Sequence, residues 1–187
     1  MQYIEPHIID RCRQGDKDAF RVLMQTWQPA VYTLALRMLC DVDDAEDIVQ
    51  ETFIRVWENI PLFDPARSFR TWIYSIAVRL CLDQLRHRAF TVPLPGDEEF
   101  LRGYLSAENS TAHELAAGEL SAVIRALAGR LSPKQRLVFT LVGLEELSVQ
   151  EAAAVTGMTA EQVKANSCLA RKNIKEQLKR LGYEFDR

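Results

Sequence analysis

Apolar residues recur three and four positions apart along almost the whole chain, the spacing that gives a helix one buried stripe. No segment sustains an alternation of period two between hairpin signals, so the pattern predicts an all-α protein. Helices are expected near Glu5 to Gln14, Asp16 to Cys40 with Pro29 as the point where it can bend, Val42 to Asn59, and Ser68 to Arg88, together forming a bundle. Pro61 and Pro65 mark the break before the last of these, because proline removes a helix hydrogen bond and clashes with the preceding turn. From Phe90 to about Ala112 the periodicity dissolves into Pro93, Pro95, Gly96 and a run of acidic and polar residues, too long for an ordinary loop inside a domain. Periodicity resumes near His113 and runs to Leu181, interrupted at Ser132-Pro133 and around Gly157. The expected organisation is an N-terminal bundle over residues 1–89, a flexible linker over 90–112, and a second helical domain with a helix-turn-helix over 113–187.

The helix beginning near Val42 has two unlike faces. Ile48, Phe53, Val56 and Trp57 supply an apolar side, while Asp43, Asp44, Glu46, Asp47 and Glu51 crowd acid into its first half, where the helix dipole favours negative charge. Charge and periodicity alone describe a well-capped amphipathic helix. The residue order says more: Asp44-Ala-Glu-Asp47, Gln50, Phe53 and Trp57 closely resemble a segment of bacterial sigma factors of the sigma-70 family. In that family the helix binds a coiled coil of the largest RNA polymerase subunits. The resemblance implies that Asp47, Gln50, Glu51, Phe53 and Trp57 contact the polymerase or support the contact.

A basic segment with aromatics follows. Phe69, Trp72, Ile76 and Leu80 share one face and are expected in the core, whereas Thr71, Ser75, Arg79 and Arg86 fall within about a quarter-turn of one another on a different face. Taken alone, that polar face fits either a solvated helix surface or a surface for phosphates and base edges. Directly after the acidic helix, it resembles the sigma-factor helix that recognises and opens the minus-10 promoter element, with Thr71-Trp72-Ile73-Tyr74 and Asp83 matching. The resemblance implies minus-10 contacts from Arg67, Arg70, Thr71, Ser75, Arg79 and Arg86. Arg79 stands where the family commonly has asparagine.

Farther on, Ser148-Val-Gln-Glu151 and Thr159-Ala-Glu-Gln162 each have the form of a capping box opening a helix, and Gly157 between them suits a left-handed C-terminal position. Ala152, Ala153 and Val155, then Val163, Ala170 and Ile174, provide small or apolar packing positions. This pattern fits an ordinary helical hairpin or a helix-turn-helix. Preceded by Leu131 to Phe139, it resembles the sigma-factor domain that reads the minus-35 element. The resemblance puts Gln162, Lys164, Ala165 and Asn166 at the groove-facing start of the recognition helix, with Lys134, Arg136 and Arg171 near phosphates. Asn166 replaces a frequent family arginine, and Ser167 a usual leucine.

Charge refines the picture. Net charge is −3, unlike a generic nucleic-acid binder, but acid concentrates in Asp41 to Glu58 and Asp97 to Glu119 while basic residues cluster between Arg67 and Arg88 and between Lys164 and Arg180. Two basic surfaces separated by acid fit two DNA contacts plus protein partners. Cys12, Cys40, Cys81 and Cys168 occur singly, without a metal-ligand spacing, and are expected as buried free thiols. No cofactor, metal site or nucleophile-base pair is visible, which argues against an enzyme. No apolar run is long enough to span a membrane and the acidic start does not resemble a signal peptide, so the expected location is cytoplasmic.

The two-domain order resembles the extracytoplasmic-function group of sigma factors. The implied partners are core RNA polymerase, promoter DNA and an anti-sigma factor. The rival class is an operator-binding repressor, which predicts homodimers and palindromic sites and leaves the Asp44 to Trp57 match unexplained.

Overall fold

The computed structural model describes residues 6–91, 127 and 130–180. Its helices, in chain order, are α1 (Pro6–Arg13), α2 (Lys17–Leu39), α3 (Val42–Asn59), α4 (Phe69–Thr91), α5 (Pro133–Val138), α6 (Val149–Thr156) and α7 (Ala160–Arg180). A 3-10 turn (Ile60–Leu62) follows α3, and a π-helical turn (Phe139–Leu144) follows α5. No strand occurs among the described residues. The expected linker lies outside them apart from its first two positions, which continue α4.

Capping sets the helix starts. Asp16 takes the N–H groups of Asp18 and Ala19 at 2.9 and 3.1 Å, and Asp41 takes that of Asp44 at 2.9 Å, so each side chain replaces partners the first turn lacks. Helix α2 runs unbroken through Pro29 and ends at Cys40, whose φ of 55° is the left-handed conformation that closes a helix. The capping box at α6 is complete, since Glu151 accepts from the Ser148 N–H at 2.8 Å and Ser148 from the Glu151 N–H at 3.2 Å. Gly157 follows it with φ 72°.

The bundle core joins Leu23, Trp27, Val31, Leu34 and Met38 of α2 to Ile48, Phe53 and Val56 of α3 and to α4. On α4 the buried face differs from the expected one. Phe69 and Leu80 are buried, but Trp72 and Ile76 are half-buried, and the deepest positions are Ile73, Tyr74, Ala77, Val78 and Cys81. The reason is that α4 packs against three helices, α2 and α3 of the bundle and α6 of the C-terminal part, which widens its buried arc. A period-based reading assumes a single apolar stripe and misses this.

Leu137, Val138, Leu141, Leu147, Ala152, Val155 and Val163 of the C-terminal part join the same cluster as the bundle, while Leu127, Leu131, Phe139, Ala170, Ile174 and Leu178 form a second one. The thiols divide accordingly. Burial pushes Cys12 up to about 11 and Cys81 up to about 12, whereas Cys168, expected inside, is exposed, because the neighbouring Ser167 is the position α7 turns inward.

Candidate functional site

Helix α3 separates support from display. Ala45, Ile48, Val49, Thr52, Phe53 and Val56 are buried, while Asp47 and Gln50 are exposed about one turn apart. Phe53, 3% exposed, is a packing residue. Trp57 is half-buried with its ring 4.8 Å from that of Phe20, and Glu51 pairs with Arg55 at 2.8 Å. Asp44 faces the other way: Gln84 donates to it at 2.9 Å, and Arg88 bridges Asp44 and Asp41, tying the start of α3 to the far half of α4. The first aspartate of the acidic motif is therefore structural, and the second is presented to solvent.

The stretch between α3 and α4 is built rather than loose. Ile60 and Phe63 are buried, with the Phe63 ring 5.5 Å from Phe69 and 4.9 Å from Trp72. Between those anchors Leu62 is 84% exposed. Asp64 then closes a turn by accepting the Ala66 N–H at 3.0 Å. Beyond it, Arg67, Arg79 and Arg86 are exposed, Thr71 and Ser75 are half-buried, and Arg86 pairs with Asp83. Arg70 points elsewhere, donating to the main-chain oxygen of Glu145.

At α7, Thr159 and Gln162 cap reciprocally: the Thr159 N–H reaches Gln162 Oε1 at 3.0 Å and the Gln162 N–H reaches Thr159 Oγ1 at 3.2 Å. Lys164, Ala165 and Arg171 are exposed and Asn166 is half-buried, its side-chain amide donating to the Gln162 carbonyl at 2.8 Å. Val163, Ser167, Ala170, Ile174 and Leu178 form the inward face, so the small Ser167 occupies a packing position. Lys134 is exposed on α5, whereas Arg136 is half-buried and donates to the Met38 carbonyl at 2.8 Å. Periodicity gave no sign of Glu145, the residue at which α2, α4 and the C-terminal part converge.

Among the described residues no three His, Cys, Asp or Glu side chains are grouped to hold a metal, and no helix is long and apolar enough to cross a membrane.

Comparison with known proteins matches both halves. The Sigma-70 region 2 family model covers residues 23–91, and the Sigma-70, region 4 model covers residues 121–174. The ECF RNA polymerase sigma factor SigW of Bacillus subtilis is 32% identical, over 92% of this chain and 96% of its own. This chain belongs to the extracytoplasmic-function group of the sigma-70 family. As a sigma factor of this group it is not an enzyme; it binds RNA polymerase and directs promoter-specific transcription initiation. The RNA polymerase sigma factor CnrH of Cupriavidus metallidurans is 29% identical over 86% of each chain. Solved structures share the fold: CnrH in complex with the cytosolic domain of CnrY has a TM-score of 0.69 at 24% identity, covering 93% of this chain and 96% of that one. RpoE in complex with the anti-sigma factor NepR from Bartonella quintana has a TM-score of 0.66 at 24% identity, covering 86% and 96%.

Proposed function

We propose that this sigma factor docks on core RNA polymerase through the outer face of α3, with Asp47 and Gln50 as contacts, Glu51 beside them, and Phe53 and Trp57 supporting the helix from behind. Arg67, Arg70, Arg79 and Arg86, with Thr71 and Ser75, meet the minus-10 element. The start of α7 reads the minus-35 element through Gln162, Lys164, Ala165 and Asn166, with Lys134, Arg136 and Arg171 on phosphates. Leu62, held out between two buried anchors, lies in a loop suited to catching a base that leaves the stack; capture of that base offsets part of the cost of opening. The energy for opening comes from binding, without a catalytic group. An anti-sigma protein restrains the factor, by analogy with the complex of RpoE and NepR, and the site of action is the cytoplasm, where core polymerase works.

The observation that carries the docking assignment is the exposure of Asp47 and Gln50 on a helix whose opposite face is buried. Asp47→Arg and Gln50→Ala are therefore expected to weaken competition for purified core polymerase and to lower promoter-directed transcription, with circular dichroism unchanged. Full affinity of a folded Asp47→Arg protein would remove Asp47 from the interface.

A further inference from the structure

Glu145 follows the π-helical turn, where its N–H still reaches back to the Thr140 carbonyl at 2.8 Å, and its side chain crosses to the N-terminal bundle. One carboxylate oxygen accepts from Arg37 of α2 at 2.5 Å, and the other from the Tyr74 hydroxyl of α4 at 2.8 Å. Arg70 donates to the Glu145 main-chain oxygen, lies 4.0 Å from its Oε2, and stacks over the Tyr74 ring at 5.5 Å. Burial and the neighbouring carboxylate push the Tyr74 hydroxyl up, keeping it a donor. The ionic side chains are largely shielded, at 11% exposure for Glu145, 20% for Arg37 and 23% for Arg70. A second strap runs beside them, from Arg136 of α5 to the Met38 carbonyl at the end of α2.

Two of these donors, Arg70 and Arg136, are arginines assigned above to promoter contacts, one in each DNA-binding unit. A guanidinium engaged by a protein oxygen in this way is turned away from a phosphate, and both engagements require the units to stay together. We infer that Glu145 is an intramolecular latch that closes the minus-35 unit on the minus-10 unit; it competes with promoter DNA for Arg70 directly, and for Arg136 only through the closure that lets Arg136 reach the Met38 carbonyl. The latch rests on the reading of Arg70 and Arg136 as DNA contacts. Because it lies within one chain, closure needs no second protein, and DNA or polymerase opens it by binding the separated units better.

In the full chain Glu145→Ala removes the carboxylate, leaving only the main-chain oxygen that Arg70 reaches, and Arg37→Ala removes the α2 contact to that carboxylate; Arg37 has no assigned part in DNA or polymerase binding. Small-angle X-ray scattering on each variant is expected to show a larger radius of gyration. Anisotropy with a fluorescent mixed-sequence DNA duplex is expected to show affinity raised about fivefold or more, the lower range of coupling between linked sites. The double variant should bind no more tightly than Glu145→Ala alone, because that change already removes the contact Arg37 makes. An unchanged radius in both variants overturns the latch and leaves the DNA contacts standing. Expansion with unchanged DNA affinity overturns the competition; Arg70→Ala and Arg136→Ala in the expanded background then show separately, by lowering affinity or not, whether those arginines bind DNA.

Discussion

Asp41 shows how one side chain links a helix start to pH. The Asp44 N–H, and then the Arg88 guanidinium, hold its carboxyl below the usual carboxylate range. A depressed folded-state pKa stabilises the protein above the unfolded value of about 3.9, and that contribution is lost as pH falls through the folded value. Asp41→Ala should cost about 0.5–2 kcal/mol at neutral pH, the usual range for a lost cap. Urea melts across pH would show the gap between variant and parent closing in acid, and a gap independent of pH would rule out the ionised cap as its source. Phe53→Ala behaves differently from a change at Asp47, although both residues belong to the same motif. Truncating the buried ring should lower stability by about 3–5 kcal/mol, and any loss of polymerase binding should then follow the unfolded fraction.

At the scale of elements, the segment after α3 and the helix α7 make separable predictions. Replacing Leu62 and Asp64 to Ala66 with glycine and serine, with the Phe63 anchor kept, removes the exposed leucine and the Asp64 turn without opening the core. Polymerase binding and closed-complex formation should persist, while permanganate reactivity of unpaired thymines at the promoter falls and a pre-melted template restores activity. Normal opening on duplex DNA would show that the loop does not capture a base. On α7, Asn166→Ala should relax discrimination at one base position by about 1–3 kcal/mol. Arg171→Ala should instead weaken all sequences and flatten the salt dependence by about 0.9 in logarithmic slope. A promoter library read at two salt concentrations separates them. Gln162→Ala is a mixed test, since Gln162 also caps the helix. The helices themselves were legible in the sequence, including the unbroken Val42–Asn59 and both capping boxes, because caps and periodicity act within a few residues. The buried side of α4 was not, because α6, far away in sequence, covers part of it.

Across the whole molecule, residues from both halves share one apolar cluster, and Leu141 within it is fully buried. Leu141→Ala should therefore lower the stability of both halves together, by about 2–5 kcal/mol. Hydrogen exchange of the whole chain would reveal faster opening of α2 and α4 as well as of α7. Faster exchange confined to α7 would show the two halves to be energetically independent.

Local chemistry written in the chain determined the helical class, the helix starts and the family. Acids at a helix N-terminus, a glycine at a left-handed turn and apolar residues at helical spacing each act on near neighbours, so their order suffices to read them. The fates of individual charges were decided only in three dimensions. Asp44 and Asp47 are three residues apart in one motif, yet Gln84 and Arg88 claim the first while the second faces solvent. Arg70 and Arg136 read as DNA contacts along the chain, and the fold turns both toward protein oxygens. Glu145 carries no motif at all; it gains its place because a π-helical turn delivers its carboxylate between Arg37 and Tyr74, residues 108 and 71 positions away in the chain.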